Sequence, residues 1–171
     1  MVAPIVYRGI FITFLCSPLL FAQVLLAQSG NTPTSTTTCY LDDGRQIYVR
    51  YNPVTSKSEK IVNGKPLTPG GAPMTLFTEA PLTVGTSAIP IGAYTVYPIP
   101  AKDHWTLAIN KNVSAGAAYD EKNDLARVQM ETDQVPQAAD ALEVAFAHVG
   151  PRCTLRIYIG KSASFADFTA K

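Results

Sequence analysis

Two histidines, one acidic run and a scatter of tyrosines are the side chains with the most chemical reach. His104 lies in "AKDHW" and His148 near the end of "LEVAFAHV". A zinc centre needs three or four converging ligands, and no spacing here puts these two on one face of one element. The stretch "YDEKNDLAR" gathers Asp120, Glu121, Asn123 and Asp124. Hard cations favour such oxygen clusters, but an EF-hand loop requires alternating ligands, a central glycine and a terminal glutamate. Lys122 interrupts the run and the glycine is missing, so a solvated loop with Asp120 as a cap is the expectation. No Gly-x-Ser-x-Gly elbow is present for a nucleophilic serine. A carboxylate pair such as Asp103 with Glu143 could be assembled by folding, as in glycoside hydrolases, yet nothing selects it. The reading therefore assigns no catalytic residue, no metal ligand and no cofactor.

The aromatic residues remain. Tyr94 and Tyr97 fall on opposite faces of one strand, so one of them is expected to point outward. Trp105 keeps phase with Leu107 and Ile109 and is assigned to the core. Tyr97, Tyr48 and Tyr158 are the candidate ligand-binding residues, a platform for sugar or peptide if their strands are neighbours. The alternative is that they serve as cross-strand pairs that stabilise the sheet.

The elements that must position these residues read as strands almost throughout. In "CYLDDGRQIYVRY", Asp43 and Gly44 supply a hairpin turn, and Ile47, Val49 and Tyr51 share a face. "KIVNGK" suggests a second turn at Asn63 and Gly64, with Pro66 restricting the returning strand to an edge. Pro69 to Pro73 is a loop by composition. "MTLFT", "LTV", "AYTVY" and "WTLAIN" follow as short strands, then "RVQME", "LEVAFAHV" and "CTLRIYIG". One short helix is expected between Ser114 and Ala126. The pattern predicts an all-β domain, an antiparallel β-sandwich of roughly eight to nine strands.

The beginning of the chain reads differently. Arg8 precedes an apolar run of roughly 18 residues broken by Pro18, and a polar segment follows Ala27, the layout of a secretory signal peptide. The expected division is a signal peptide over 1–27, a flexible Ser/Thr-rich leader over 28–38 and a single domain over 39–171. The expected location is periplasmic or extracellular, with no membrane association beyond the export signal. Removing Arg8 from the 14 basic residues leaves 13 against 13 acidic ones, a balance that argues against a nucleic-acid partner. A small molecule, a glycan or a protein remain open as ligands. Cys39 and Cys153 would survive cleavage, and an even pair in an oxidising compartment reads as a disulfide.

Taken together, "IPIGAYTVYPIPAKDHWTLAINK", "YDEKNDLARVQM", "CTLRIYIGKSASF" and "CYLDDGRQIYVRYNP" resemble the bacterial secreted domain-of-unknown-function family 2911. The resemblance covers most of Cys39 to Thr169. It implies an exported, mostly β domain, with a cysteine pair at these two places in some relatives, and no established activity. Relatives carry a Trp-Arg-Thr-Gly-Ala-Asn-Glu-Ala-Thr block where this chain has "LTPGGAPMT", Leu67 to Thr75, which keeps only Gly70 and Thr75 of its distinctive residues. A basic segment upstream survives as Lys57 and Lys60. The expected function is a non-catalytic binding or envelope-associated module. A hydrolase using scattered acidic residues between the sheets is the alternative.

Overall fold

The computed structural model describes residues 33–171, so the expected signal peptide lies outside the described residues. Nine strands run in chain order: β1 (Ser35–Tyr40), β2 (Gln46–Tyr51), β3 (Met74–Thr78), β4 (Leu82–Val84), β5 (Ser87–Ile89), β6 (Gly92–Ile99), β7 (Trp105–Asn110), β8 (Asp124–Val149) and β9 (Arg152–Ala170). Single 3-10 turns occupy Pro69–Gly71 and Glu121–Asn123, and no α-helix occurs among the described residues. The all-β expectation holds.

The expected helix between Ser114 and Ala126 is absent. Asp120 accepts a hydrogen bond from the Lys122 amide at 3.1 Å, which tightens the chain into the 3-10 turn, and β8 begins directly after it. Gly116 and three Asn or Asp residues within that span are poor helix formers, so strand pairing prevails. The first strand starts at Ser35, inside the segment read as a flexible leader. Its threonines suit a pleated ladder, and it pairs with β2 from Ser35↔Tyr51 to Tyr40↔Gln46.

All nine strands lie in one antiparallel sheet, ordered β1-β2-β3-β6-β7-β8-β9-β4-β5. The structure thus shows a single open sheet where the alternation pattern suggested a two-sheet sandwich. The cause is β8, which spans 26 residues and changes partner midway. Its first part pairs with β7 as far as Met130↔Trp105, and β9 takes over from Glu131↔Phe165. One strand therefore carries the pairing from β7 over to β9.

The β8–β9 hairpin is strongly bent. Its register breaks between Gln134 and Ala139, and again between Ala139 and Glu143, opposite Gly160. Gly160 has φ 55°, a left-handed conformation that suits a residue without a Cβ. Thr154 near the start of β9 donates to Asp167 near its end at 2.6 Å. Residues so far apart on a straight strand would stand on the order of 40 Å from each other. β9 must therefore double back.

The inner face carries one principal core. Ile47, Val49, Leu76, Trp105, Leu107, Ile109, Leu155, Ile157 and Phe168 belong to it, as the alternation predicted for most of them. The turn between β1 and β2 uses Gly44 at φ 85°, while Asp43 keeps an ordinary backbone and instead accepts from the Arg45 amide. Cys39 and Cys153 are bridged, which ties β1 to the start of β9. The Phe146 amide also donates to Thr37 Oγ1 at 3.2 Å, bringing β1 against β8.

Candidate functional site

The three candidate tyrosines are dispersed by the sheet order. Tyr48 on β2 stacks on Phe77 of β3, ring centroids 4.6 Å apart, and Arg50 caps the Phe77 ring at 5.5 Å. Tyr97 on β6 is only 3 % exposed, covered by Tyr119 at 4.8 Å. Tyr158 on β9 meets Phe165 edge to face at 6.2 Å. β2, β6 and β9 are not neighbours, so no common platform joins the three. Tyr94 is buried too, its hydroxyl donating to the Pro90 carbonyl at 2.9 Å.

The acidic run resolves into a hydrogen-bonded knot. The Asp124 carboxylate, 6 % exposed, accepts from Asn110 Nδ2 at 2.8 Å, Tyr119 Oη at 2.5 Å and Arg127 at 3.1 Å. Arg127 also donates to Tyr119 Oη at 2.6 Å and pairs with Glu121 at 3.3 Å. Burial, then the bond to Asp124, raise the Tyr119 phenol well above the ordinary tyrosine range. Every member has a partner, which marks the knot as a clasp on the β7–β8 connection. No group of three or more His, Cys, Asp or Glu able to hold a metal occurs among the described residues. His148 faces Asp42 at 3.6 Å, and His104 is exposed in the β6–β7 connection.

The altered segment Leu67 to Thr75 has mainly neutral surroundings. Asn52 Nδ2 donates to the Pro69 carbonyl at 3.3 Å, a Cβ on Gly70 would meet Val54 at 3.3 Å, and Thr75 lies opposite Arg50. Lys57 and Lys60 make no ion pair among the described residues.

An open cleft of about 650 Å³ lies where β9 doubles back. Arg152, Thr154, Arg156 and Tyr158 come from the first half of β9, Phe165 and Asp167 from its second half, and Glu131 from β8. Their partners in alternation, Cys153, Leu155 and Ile157, are buried in the core, which leaves this set for the opposite face. Arg152 pairs with Asp167 at 3.0 Å, and Thr154 shares the same carboxylate. A second cleft of about 570 Å³ adjoins, lined by Asp140, Glu143 and Phe146, and again by Arg156 and Tyr158. Of the speculative carboxylate pair, Glu143 lines this second cleft, whereas Asp103 lines neither. Arg156 stands apart from the other cleft residues: its Nε is buried without a hydrogen bond.

A family model described as a protein of unknown function, DUF2911, matches residues 32–160. The chain belongs to this family. No curated protein and no solved structure matches it. The DUF2911 match takes in the Tyr119–Arg127 clasp, the cystine and the β9 residues up to Gly160. Phe165 and Asp167, which complete the cleft, lie beyond the matched span. In "CTLRIYIG" the two-residue period puts Arg156 and Tyr158 on the face opposite Leu155 and Ile157. The signal available was Arg152 and Arg156 on a common face of a strand otherwise committed to the core.

Proposed function

We propose that this DUF2911 member is an exported, non-catalytic binding module whose ligand occupies the cleft formed by the doubled β9. The carrying observation is the cleft itself, about 650 Å³ of open space lined by polar and apolar side chains alike and including an arginine whose Nε has no protein partner. Ligand sites are typically concave and of this size, with a few convergent polar groups. The cleft's acidic residues do not form a close pair with a histidine, so its residues suit recognition better than acid–base chemistry. Export is supported by the layout of the first 27 residues and by the cystine, a bond that persists in oxidising compartments. Tyr158 keeps a part in this reading, while Tyr97 and Tyr48 act within the sheet.

The test is a nuclear magnetic resonance titration of the protein against a mixed library of sugars, peptides and small organic fragments. Hits that move the amides of Glu131, Arg152 to Tyr158 and Phe165 to Asp167 support the reading. A library whose hits all map elsewhere, or that yields none, overturns it.

A further inference from the structure

The character of the ligand follows from Arg156, on the footing that the cleft is the binding site. Four other arginines have settled partners: Arg45 with Asp43, Arg127 with Asp124, Arg152 with Asp167, and Arg50 over Phe77. The Arg156 side chain has neither a hydrogen bond nor an ion pair among the described residues, although the residue is half-buried and its Nε is shut off from solvent. A guanidinium is always charged and offers five donors in a planar fork. The outer nitrogens of the fork, Nη1 and Nη2, are not shut off in this way and also have no protein partner, so they are open to an acceptor that enters from the cleft.

Two features narrow the acceptor. Tyr158 stands two residues along on the same face, and its ring meets that of Phe165 in an aromatic wall of the same cleft. Both clefts share Arg156 and Tyr158, so the pair sits at the junction where a ligand can reach from either side. Around this junction the free charges are negative: Glu131 in the larger cleft, Asp140 and Glu143 in the smaller, none of them in an ion pair. The guanidinium fork can grip one oxyanion at hydrogen-bonding range, while the carboxylates around it disfavour any further negative charge.

We infer that the cleft binds a small ligand carrying a single oxyanion, carboxylate or phosphate, held by the Arg156 fork with its apolar or aromatic body against Tyr158 and Phe165. Nucleic acids and polyanionic glycans are rejected by the rim. A positive centre elsewhere on the ligand is welcome there.

The experiment titrates the full protein with benzoate, phenyl phosphate, neutral benzamide and the polyanion citrate, following backbone amides and the arginine Nε–H resonances. Benzoate or phenyl phosphate should move the Arg156 Nε–H saturably, and benzamide and citrate should bind roughly tenfold or more weakly. The tighter of the two monoanions identifies the oxyanion. Arg156→Gln should erase the preference of benzoate over benzamide in a variant that still melts cooperatively. If the variant does not fold, the wild-type Nε–H shift still decides the matter. Equal binding of benzoate and benzamide in the cleft overturns the anion assignment while leaving the binding reading intact. Perturbation by none of these probes also overturns it, and the broader library then judges the binding reading on its own.

Discussion

At the scale of single residues, Asp124 and Tyr119 show how a buried charge is made tolerable in this domain. Its side chain is almost wholly covered, and its two oxygens accept three hydrogen bonds, from Asn110, Tyr119 and Arg127. The tyrosine bears the consequence. Desolvation, followed by its bond to a carboxylate, raises its ionisation above the ordinary tyrosine value of about 10. A proton held more tightly in the folded state than in the unfolded one makes stability fall as pH rises. The contribution is therefore complete below about pH 10 and declines from there towards the folded-state value. Spectrophotometric titration at 295 nm should show Tyr119 ionising after the exposed tyrosines, coincident with alkaline unfolding. Tyr119→Phe should cost about 1–2 kcal/mol at neutral pH and flatten the alkaline decline. An unchanged alkaline profile in that variant would count against the clasp. The same scale explains Tyr97. Alternation correctly put it opposite Tyr94, but a loop from beyond β7 brings Tyr119 over it, and no local pattern announces that cover.

At the scale of elements, the decisive feature is the bend of the β8–β9 hairpin. The loop after β2 holds it: Ser56 Oγ donates to the Ala139 carbonyl at 2.6 Å and accepts from the Gly160 amide at 3.1 Å. The Ser56 and Leu142 amides donate to Asp140 and Val54 carbonyls, both at 2.8 Å, which adds a short rung beside it. Ser56→Ala should therefore destabilise the domain by about 1–3 kcal/mol, measured by denaturant titration, since it strips partners from two backbone groups at a corner. A loss below about 0.5 kcal/mol would mean that the bend is held by β8 and β9 themselves. Gly160→Ala should also cost about 1 kcal/mol, from the strain of a side chain at φ 55°. This corner marks the limit of what could be read beforehand. "RVQME", "LEVAFAHV" and "CTLRIYIG" alternate cleanly, so their faces were legible. Pro136 and the alanines after Gln137 interrupt that alternation and look like a linker between separate strands. They are instead a break in register within one strand, where a proline is accommodated. β1 begins in a run of serine and threonines with no apolar alternation, but most strands were legible because their period is local. The sheet order was not, because a long strand that changes partner leaves no local trace. The cleft was hidden for the same reason, since Asp167 meets Thr154 only after β9 folds back.

At the scale of the whole molecule, the cystine decides how firmly the sheet's exposed end is held. β1 is an edge strand, the kind of element that frays or pairs with foreign chains. Cys39 in β1 and Cys153 at the start of β9 lie 114 residues apart. Closing a loop of that size restricts the unfolded chain by about 4–5 kcal/mol in the chain-entropy account. A domain of this size is typically stable by about 5–15 kcal/mol in all, so the bridge is a large share. Replacing both cysteines by alanine should lower the melting temperature by on the order of 10 °C, with amide exchange accelerating first in β1. The effect should extend to the cleft. Cys153 is flanked by Arg152 and Thr154, the two residues that grip Asp167 across the doubled strand. Loosening the anchor should let that grip open, so benzoate affinity at Arg156 should fall even at temperatures where the variant is folded. A variant that loses stability yet keeps full affinity would show that the bent hairpin organises its cleft alone, with the cystine serving only the sheet edge.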